Sequence, residues 1–235
     1  MSVSVIIPAL NEAESIGQVV RSMPWNRINE CIVVDNGSTD GTASIAQAAG
    51  ARIVNSPRGY GAACKAGSLA ADPASTILVY MDGDGSDVID FFSQLVDPIA
   101  YDHADFTIGS RMRGHASPGS LQANQRFAAR LVSALLWVLL QMRYTDMGPF
   151  RAIRRSAFDQ LGMAEMTYGW NLEMQIKAAQ HNLRILELPV DSRPRIGGVS
   201  KVSGNLAASF KTAVRIFSVI YRIGMRSGSR ASKGA

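Results

Sequence analysis

Five residues, Ile77 to Met81 (I-L-V-Y-M), constrain the fold more than any other part of the chain. They are apolar or aromatic with no polar residue between them, so a strand built from them must be covered on both faces. That is the condition of a strand inside a parallel α/β sheet, and such sheets carry their ligands at the carboxyl ends of the strands. The run breaks at once into Asp82-Gly83-Asp84-Gly85-Ser86-Asp87. Two carboxylates separated by one glycine suit a hard divalent cation, Mg²⁺ or Mn²⁺, that shares its other positions between water and a substrate phosphate. A solvated Asx/Gly turn is the plainer reading of the same letters. The strand-end position favours the metal site.

The same grammar recurs through the first half. Val3 to Ile7 stops at Pro8, Cys31 to Val34 runs into D-N-G-S-T-D-G-T, Ala51 to Val54 precedes S-P-R-G-Y-G, and Ala104 to Gly109 makes a fifth strand. Helical stretches lie between them. One opens after Asn11, a good N-cap with Glu12 and Glu14 in its first turn, and one begins after Ser38 or Asp40 and ends near Gly50. Others run to Ala71 and over Val88 to Ile99. This alternation predicts a doubly wound, mostly parallel sheet with helices on both faces. The second half is less regular: a long apolar helix over Leu121 to Met142, an antiparallel strand over Met147 to Ile153, a helix over Gly169 to His181 and a strand over Leu183 to Val190. A basic loop, R-P-R-I-G-G-V-S-K, then leads to a last helix over Asn205 to Met225.

At 235 residues the chain can bury an ample core. Its net charge of +5 is unevenly spread: from Ser192 onward there are nine Lys/Arg and no acid, while the rest holds 15 bases against 19 acids. A basic end of this kind suits an anionic partner. Cys31 and Cys64 sit in apolar patterns and read as buried thiols in a reducing compartment. Met1-Ser2 leads directly into a strand, and the longest apolar segment, Leu131 to Leu140, is short of the roughly 20 residues that span a bilayer. The expected location is therefore cytoplasmic, with contact at the inner face of the cell membrane left open. The first strand's loop lacks G-x-G-x-x-G, no Walker A sequence occurs, and G-x-G-T-R is missing, which disfavours dinucleotide-binding, P-loop and nucleotidylyltransferase folds. None of His103, His115 and His181 has a partner at metal-ligand or triad spacing.

The second strand ends in Asp35, whose carboxylate can accept from a nucleobase edge or a ribose, or simply order a turn. Together, P-A-L-N-E, V-V-D-N-G-S-T-D-G-T, R-G-Y-G-A-A-C-K-A-G, M-D-G-D-G and G-S-R resemble the family 2 glycosyltransferases, which have the GT-A fold and use nucleotide-diphosphate sugars. Later blocks, D-M-G-P-F-R-A-I-R-R, Y-G-W-N-L-E-M-Q and R-P-R-I-G-G-V-S-K-V-S-G, resemble the polyprenyl-phosphate, dolichol-phosphate mannose synthase-like branch. The resemblance runs over about residues 3 to 210.

It implies a catalytic domain, taken as 1–204 with a nucleotide-sugar half (1–110) and an acceptor half (111–204); the residue pattern beyond it reads as a basic amphipathic helix (205–226) and a flexible tail (227–235). Pro8, Ala9, Asn11, Glu12, Asp35, Ser38 and Lys65 would bind the nucleotide-sugar, and Asp82 and Asp84 would hold the metal. Arg111 would reach the diphosphate or the acceptor phosphate, and Arg151, Arg195 and Lys201 would line the acceptor side. Ser86 stands where an amide-type third ligand is common, and Pro149 is an extra residue before Phe150-Arg151. Glu173 reads either as a surface partner of Lys177 at i+4 or as a carboxylate facing the acceptor pocket, with Asp146 as its rival.

The implied reaction is inverting transfer of a hexose from a UDP- or GDP-sugar to a polyprenyl phosphate. Transfer to a hydroxyl, or non-catalytic binding of a nucleotide-sugar at a membrane, are the alternatives. Phe127 to Met142 reads as a core helix, a shallowly inserted helix or a dimer-forming one, so a homo-oligomer stays open. In the last helix Lys211, Arg215, Ser218 and Arg222 share one side and Leu206, Phe210, Val214, Phe217 and Tyr221 the other, which suits an anionic membrane surface. Nucleic acid is not expected, because aromatic residues are not interleaved with the basic loop.

Overall fold

A computed structural model describes residues 1–115, 117, 130–131, 133–134, 136–138 and 142–197. Lys201, the basic helix 205–226 and the tail 227–235 lie outside the described residues, as does much of Leu121 to Met142.

The apolar runs become strands of one seven-stranded sheet. β1 (Val3–Ala9), β2 (Glu30–Asp35), β3 (Arg52–Asn55), β4 (Ile77–Tyr80) and β5 (Phe106–Ser110) come from the first half, β6 (Arg151–Arg154) and β7 (Ile185–Pro189) from the second. The order is β3-β2-β1-β4-β6-β5-β7. Every pairing is parallel except those of β6, which runs antiparallel between β4 and β5. The expected antiparallel strand is therefore present, and it inserts between two strands that precede it in the chain.

The lack of polar alternation has the expected cause. Successive residues of β1 and β4 face two separate cores, and both are filled. One face carries Ile6, Ile32, Leu78, Tyr80, Phe106 and Ile153, covered by α3 (Tyr60–Ala70), α5 (Arg155–Leu161) and α6 (Trp170–Gln180). The other carries Val5, Ile7, Val33, Val79 and Ala152, covered by α1 (Ile16–Arg21), α2 (Thr42–Ala48) and α4 (Phe92–Ala100). A fully buried aliphatic of this kind contributes roughly 1.5–3 kcal/mol relative to exposure, which is why a run with one polar face would not serve here. Tyr80 keeps its hydroxyl satisfied inside the core by Ser68 at 2.7 Å. Both cysteines are buried and unbridged.

One local expectation fails. Asn11 caps no helix: it sits at φ 50, and α1 begins only at Ile16 after Ser15. The stretch Val88 to Ile99 is helical as expected, opening with a 3₁₀ turn, Ile89–Phe91, that runs into α4. Ahead of α2, Asp40 accepts from the Thr42 backbone N–H at 3.1 Å and its hydroxyl at 2.5 Å, although the residue in the cap position is Gly41.

Candidate active site

The carboxyl end of β4 lies between the carboxyl end of β1 and the amino-terminal end of the antiparallel β6, and the chain leaves it through the acid turn. The turn is closed from within: the Asp82 N–H donates to Asp87 Oδ2 at 2.9 Å, and the Ser86 N–H donates to Asp84 Oδ1 at 2.8 Å. Ser15 ties it to the β1–α1 loop by donating to Gly83 O at 2.8 Å. Asp84 and Asp87 are buried. Burial, reinforced by the neighbouring charges of Asp84 and Asp87, pushes the Asp82 carboxyl well above the usual range. Burial likewise lifts Asp87 to about 7, with Asp84 and Asp146 adding to the rise and the Asp82 N–H and Arg111 opposing it.

The carboxylates of Asp82 and Asp84 are oxygen donors of the kind a hard cation takes. Among the described residues no group of three His, Cys, Asp or Glu side chains converges closely enough to hold a metal unaided. Asp82 and Asp84 would thus supply part of a coordination sphere, leaving positions for water and phosphate oxygens, as Mg²⁺ and Mn²⁺ sites do.

The loops after β1 and β2 lock together beside this turn. The Asn11 N–H donates to Ser38 Oγ at 3.0 Å, and Asn11 Oδ1 accepts from the Thr39 N–H at 2.9 Å. Asp35 Oδ1 accepts from the Ser38 N–H at 3.1 Å, and the Glu12 N–H donates to Thr42 Oγ1 at 2.9 Å. Pro8 and Ala9 end β1 in register with Val34 and Asp35. Lys65 lies half-buried on α3. Asn11, Glu12, Asp35 and Ser38 thus lie on two interlocked loops at the carboxyl ends of β1 and β2, while Lys65 stands on α3.

From the other side comes a strap, residues 192–197. Asp87 bridges to Ser192, the Arg193 N–H donates to Ser86 O at 3.2 Å, and the Ile196 N–H donates to Asp84 O at 3.0 Å. Arg193 Nε adds a bond to Gly85 O at 2.8 Å. Gly85 is favoured here by its backbone, whose φ is 76, and a Cβ would also press on Ile196, 2.4 Å from its Cδ1. Arg195 reaches across the turn, with Nη2 2.8 Å from Glu12 Oε1 and Nη1 3.3 Å from Asp84 Oδ2.

The remaining candidates divide. Arg111 grips Asp146 through both arms of its fork, Nε to Oδ2 at 2.8 Å and Nη2 to Oδ1 at 2.9 Å. Burial raises the Asp146 carboxyl, but Arg111 outweighs it and holds the group below the usual carboxylate range. Asp146 also accepts from the Arg111 and Met147 N–H groups, so it anchors Arg111 as a committed ion-pair partner. Glu173 is buried rather than on the surface. It does pair with Lys177 at 3.0 Å, while its carboxylate takes the Ala164 and Glu165 N–H groups and so braces the loop before α6. Arg151, expected on the acceptor side, is placed in the core: it is fully buried, bonded to Gly148 O and Asn171 O, and stacked over the Phe106 ring. Its position at the start of β6 turns it inward between the sheet and α6.

Several participants carry little sequence signal. Asp87 is in the acid turn's own sequence, three residues past Asp84, and that spacing is the one mark it bears. Tyr60, within R-G-Y-G, lies with its hydroxyl 3.4 Å from Asp82 Oδ1 and its ring stacked on Tyr168. Glu187, on β7, accepts from the Thr145 and Asp146 N–H groups at 2.9 Å, and no local pattern marks it.

A family model described as glycosyl transferase family 2 matches residues 4–162. An uncharacterized glycosyltransferase of Mycobacterium tuberculosis is 36% identical over 226 residues, covering 93% of this chain and 98% of that protein. A dolichyl-phosphate hexose transferase of Haloferax volcanii is 32% identical over 201 residues, covering 83% and 84%. A polyprenol monophosphomannose synthase of Mycolicibacterium smegmatis is 28% identical over 228 residues, covering 89% and 84%. Among solved structures, glucosyl-3-phosphoglycerate synthase of M. tuberculosis, crystallised with Mn²⁺, UDP and phosphoglyceric acid, superposes with a TM-score of 0.77 at 21% identity, covering 95% of this chain and 78% of that one. At that identity the likeness shows the shared GT-A fold alone.

Proposed function

Since the chain belongs to glycosyl transferase family 2, we propose that it moves a hexose from a UDP- or GDP-sugar to a polyprenyl phosphate, inverting the anomeric carbon. The observation that carries this reading is the buried, charge-deficient acid turn at the end of β4, faced by Arg195 and flanked by Arg111. Two relatives named for dolichyl-phosphate hexose transfer and polyprenol monophosphomannose synthesis support a lipid-phosphate acceptor. The solved neighbour with Mn²⁺ and UDP supports a divalent cation and a uridine donor, and its phosphoglyceric acid is a soluble, phosphate-bearing alternative acceptor.

In this reading Asp35 and the interlocked β1 and β2 loops hold the nucleoside. A divalent cation held by Asp82 and Asp84 would neutralise charge developing on the leaving diphosphate. An acceptor phosphate oxygen attacks the anomeric carbon from the opposite face as the bond to the diphosphate breaks, and the electron pair leaves with the diphosphate. A phosphate is already ionised near pH 7, so it needs positioning by Arg111, Arg195 and Lys201 more than a base. Consistent with this, Asp146 is ion-paired and Glu173 is occupied by backbone N–H groups. The nine bases after Ser192 suit the anionic membrane where a lipid acceptor resides. No helix among the described residues is long and apolar enough to cross a membrane.

The test is transfer of labelled hexose from UDP- and GDP-sugars to polyprenyl phosphate and to free polyprenol. Transfer to the phosphate, lost with EDTA, is expected. Transfer to the free alcohol with strict dependence on Glu173 contradicts the lipid-phosphate reading.

A further inference from the structure

Arg195 stands where positive charge is needed. Its guanidinium takes Asp84 Oδ2 at 3.3 Å and Glu12 Oε1 at 2.8 Å, and both carboxylates are buried. It is delivered there by a stitched backbone, with Arg193 on Ser86 O and Gly85 O, and Ile196 on Asp84 O. The Asp84 oxygen it engages is the one not already taken by the Ser86 N–H, hence the one a cation would use. A guanidinium and a divalent cation cannot both sit against that oxygen without strong like-charge repulsion.

We propose that Arg195 is an internal counter-cation that competes with the divalent cation for Asp84. In the metal-free protein it is docked on Asp84 and Glu12; metal binding displaces it and so frees its fork for a phosphate. Loading of the metal and presentation of a phosphate-binding arginine are thereby one event. This rests on the reading that Asp82 and Asp84 hold the metal, and it adds a competition that reading does not contain. A conformer excluded by docking weakens the apparent affinity by the fraction of protein in the competent state. A strap docked about nine-tenths of the time therefore weakens metal binding about tenfold.

The experiment uses the full chain without nucleotide. Free Mn²⁺ is titrated by electron paramagnetic resonance against wild type, Arg195→Gln, Arg195→Lys and Asp84→Asn. Limited trypsin cleavage after Arg195 is followed by mass spectrometry at each Mn²⁺ concentration. Expected are about tenfold tighter Mn²⁺ binding in Arg195→Gln, near-wild-type affinity in Arg195→Lys, and cleavage after Arg195 that rises in wild type with its midpoint at the measured Kd. A merely structural strap, or simple long-range repulsion, leaves that cleavage unmoved by Mn²⁺. Equal Kd values for wild type and Arg195→Gln, or cleavage independent of Mn²⁺, overturn the competition alone. Mn²⁺ binding that persists unchanged in Asp84→Asn overturns the metal assignment itself.

Discussion

Two groups of aspartates sit at opposite ends of the same sheet under opposite electrostatic conditions. At the amino-terminal ends of β5 and β7, Asp102 and Asp105 face Arg154 and Arg184, two acids against two bases. Arg184 lies 2.6 Å from Asp102 and 2.8 Å from Asp105, and Arg154 lies 2.6 Å and 3.3 Å from the same pair. Hydrogen bonding to Arg184 holds Asp105 down to about 2 and lowers Asp102 as well. At the carboxyl end of β4, Asp82, Asp84 and Asp87 crowd together: the carboxyls of Asp82 and Asp87 are pushed up, and Asp84 is paired with Arg195. The first cluster is complete in itself and ties strands together. The second keeps carboxyls that are costly to ionise inside a fold, a condition that clusters at functional sites.

That contrast can be broken most decisively at the acid turn. Asp82→Asn or Asp84→Asn should cut hexose transfer by about a hundredfold or more, the scale of a lost electrostatic contact to the leaving group. The metal-free melting temperature of Asp82→Asn should not fall, because a neutral amide there relieves the crowding with Asp84 and Asp87. Steady-state assays and thermal melts on one preparation check both halves.

Asp87 gives the next largest effect, and it is read through pH. Its folded carboxyl is raised to about 7, so the native state binds the proton more readily than the unfolded chain. The stability it contributes is present below about pH 4 and is lost as pH rises through about 7. Asp87→Asn should flatten that decline and raise the metal-free melting temperature at pH 8. A steeper decline in the variant would refute the account of this turn.

Glu173→Gln tests whether a buried carboxylate outside the turn is structural. It should cost about 1–3 kcal/mol in denaturant unfolding through its hydrogen bonds to Ala164 and Glu165. Transfer per folded molecule should stay within about threefold. The balanced cluster yields the smallest change. Asp105→Asn should cost about 1 kcal/mol or less, as a partly exposed pair does. Sign works the other way here: a depressed carboxyl gives stability that is present above about pH 4 and lost as pH falls toward 2.

Strands β1, β2 and β4 were legible because burial on both faces leaves an unbroken apolar run, and the acid turn was legible because it follows one directly. Tertiary partners were not. Arg151 carries the letters of a surface base, yet β6 turns it onto Phe106 and two carbonyls. Asn11 carries the letters of a cap, yet its side chain is taken by Thr39 of the neighbouring loop. Glu12 and Arg195 are 183 positions apart and meet only because the strap folds back over β4. Pairings of that range leave no trace in local spacing.

If the β4 turn is short of positive charge because a cation and a nucleoside diphosphate complete it, thermal stability must report the two together. The direct measurement is the melting temperature of the wild-type chain with UDP or GDP, with and without Mn²⁺, repeated for Asp84→Asn. A rise that requires both nucleotide and Mn²⁺ in the wild type, and vanishes in Asp84→Asn, is the expected result. A nucleotide-induced rise that is unchanged by EDTA, or that survives intact in Asp84→Asn, contradicts it.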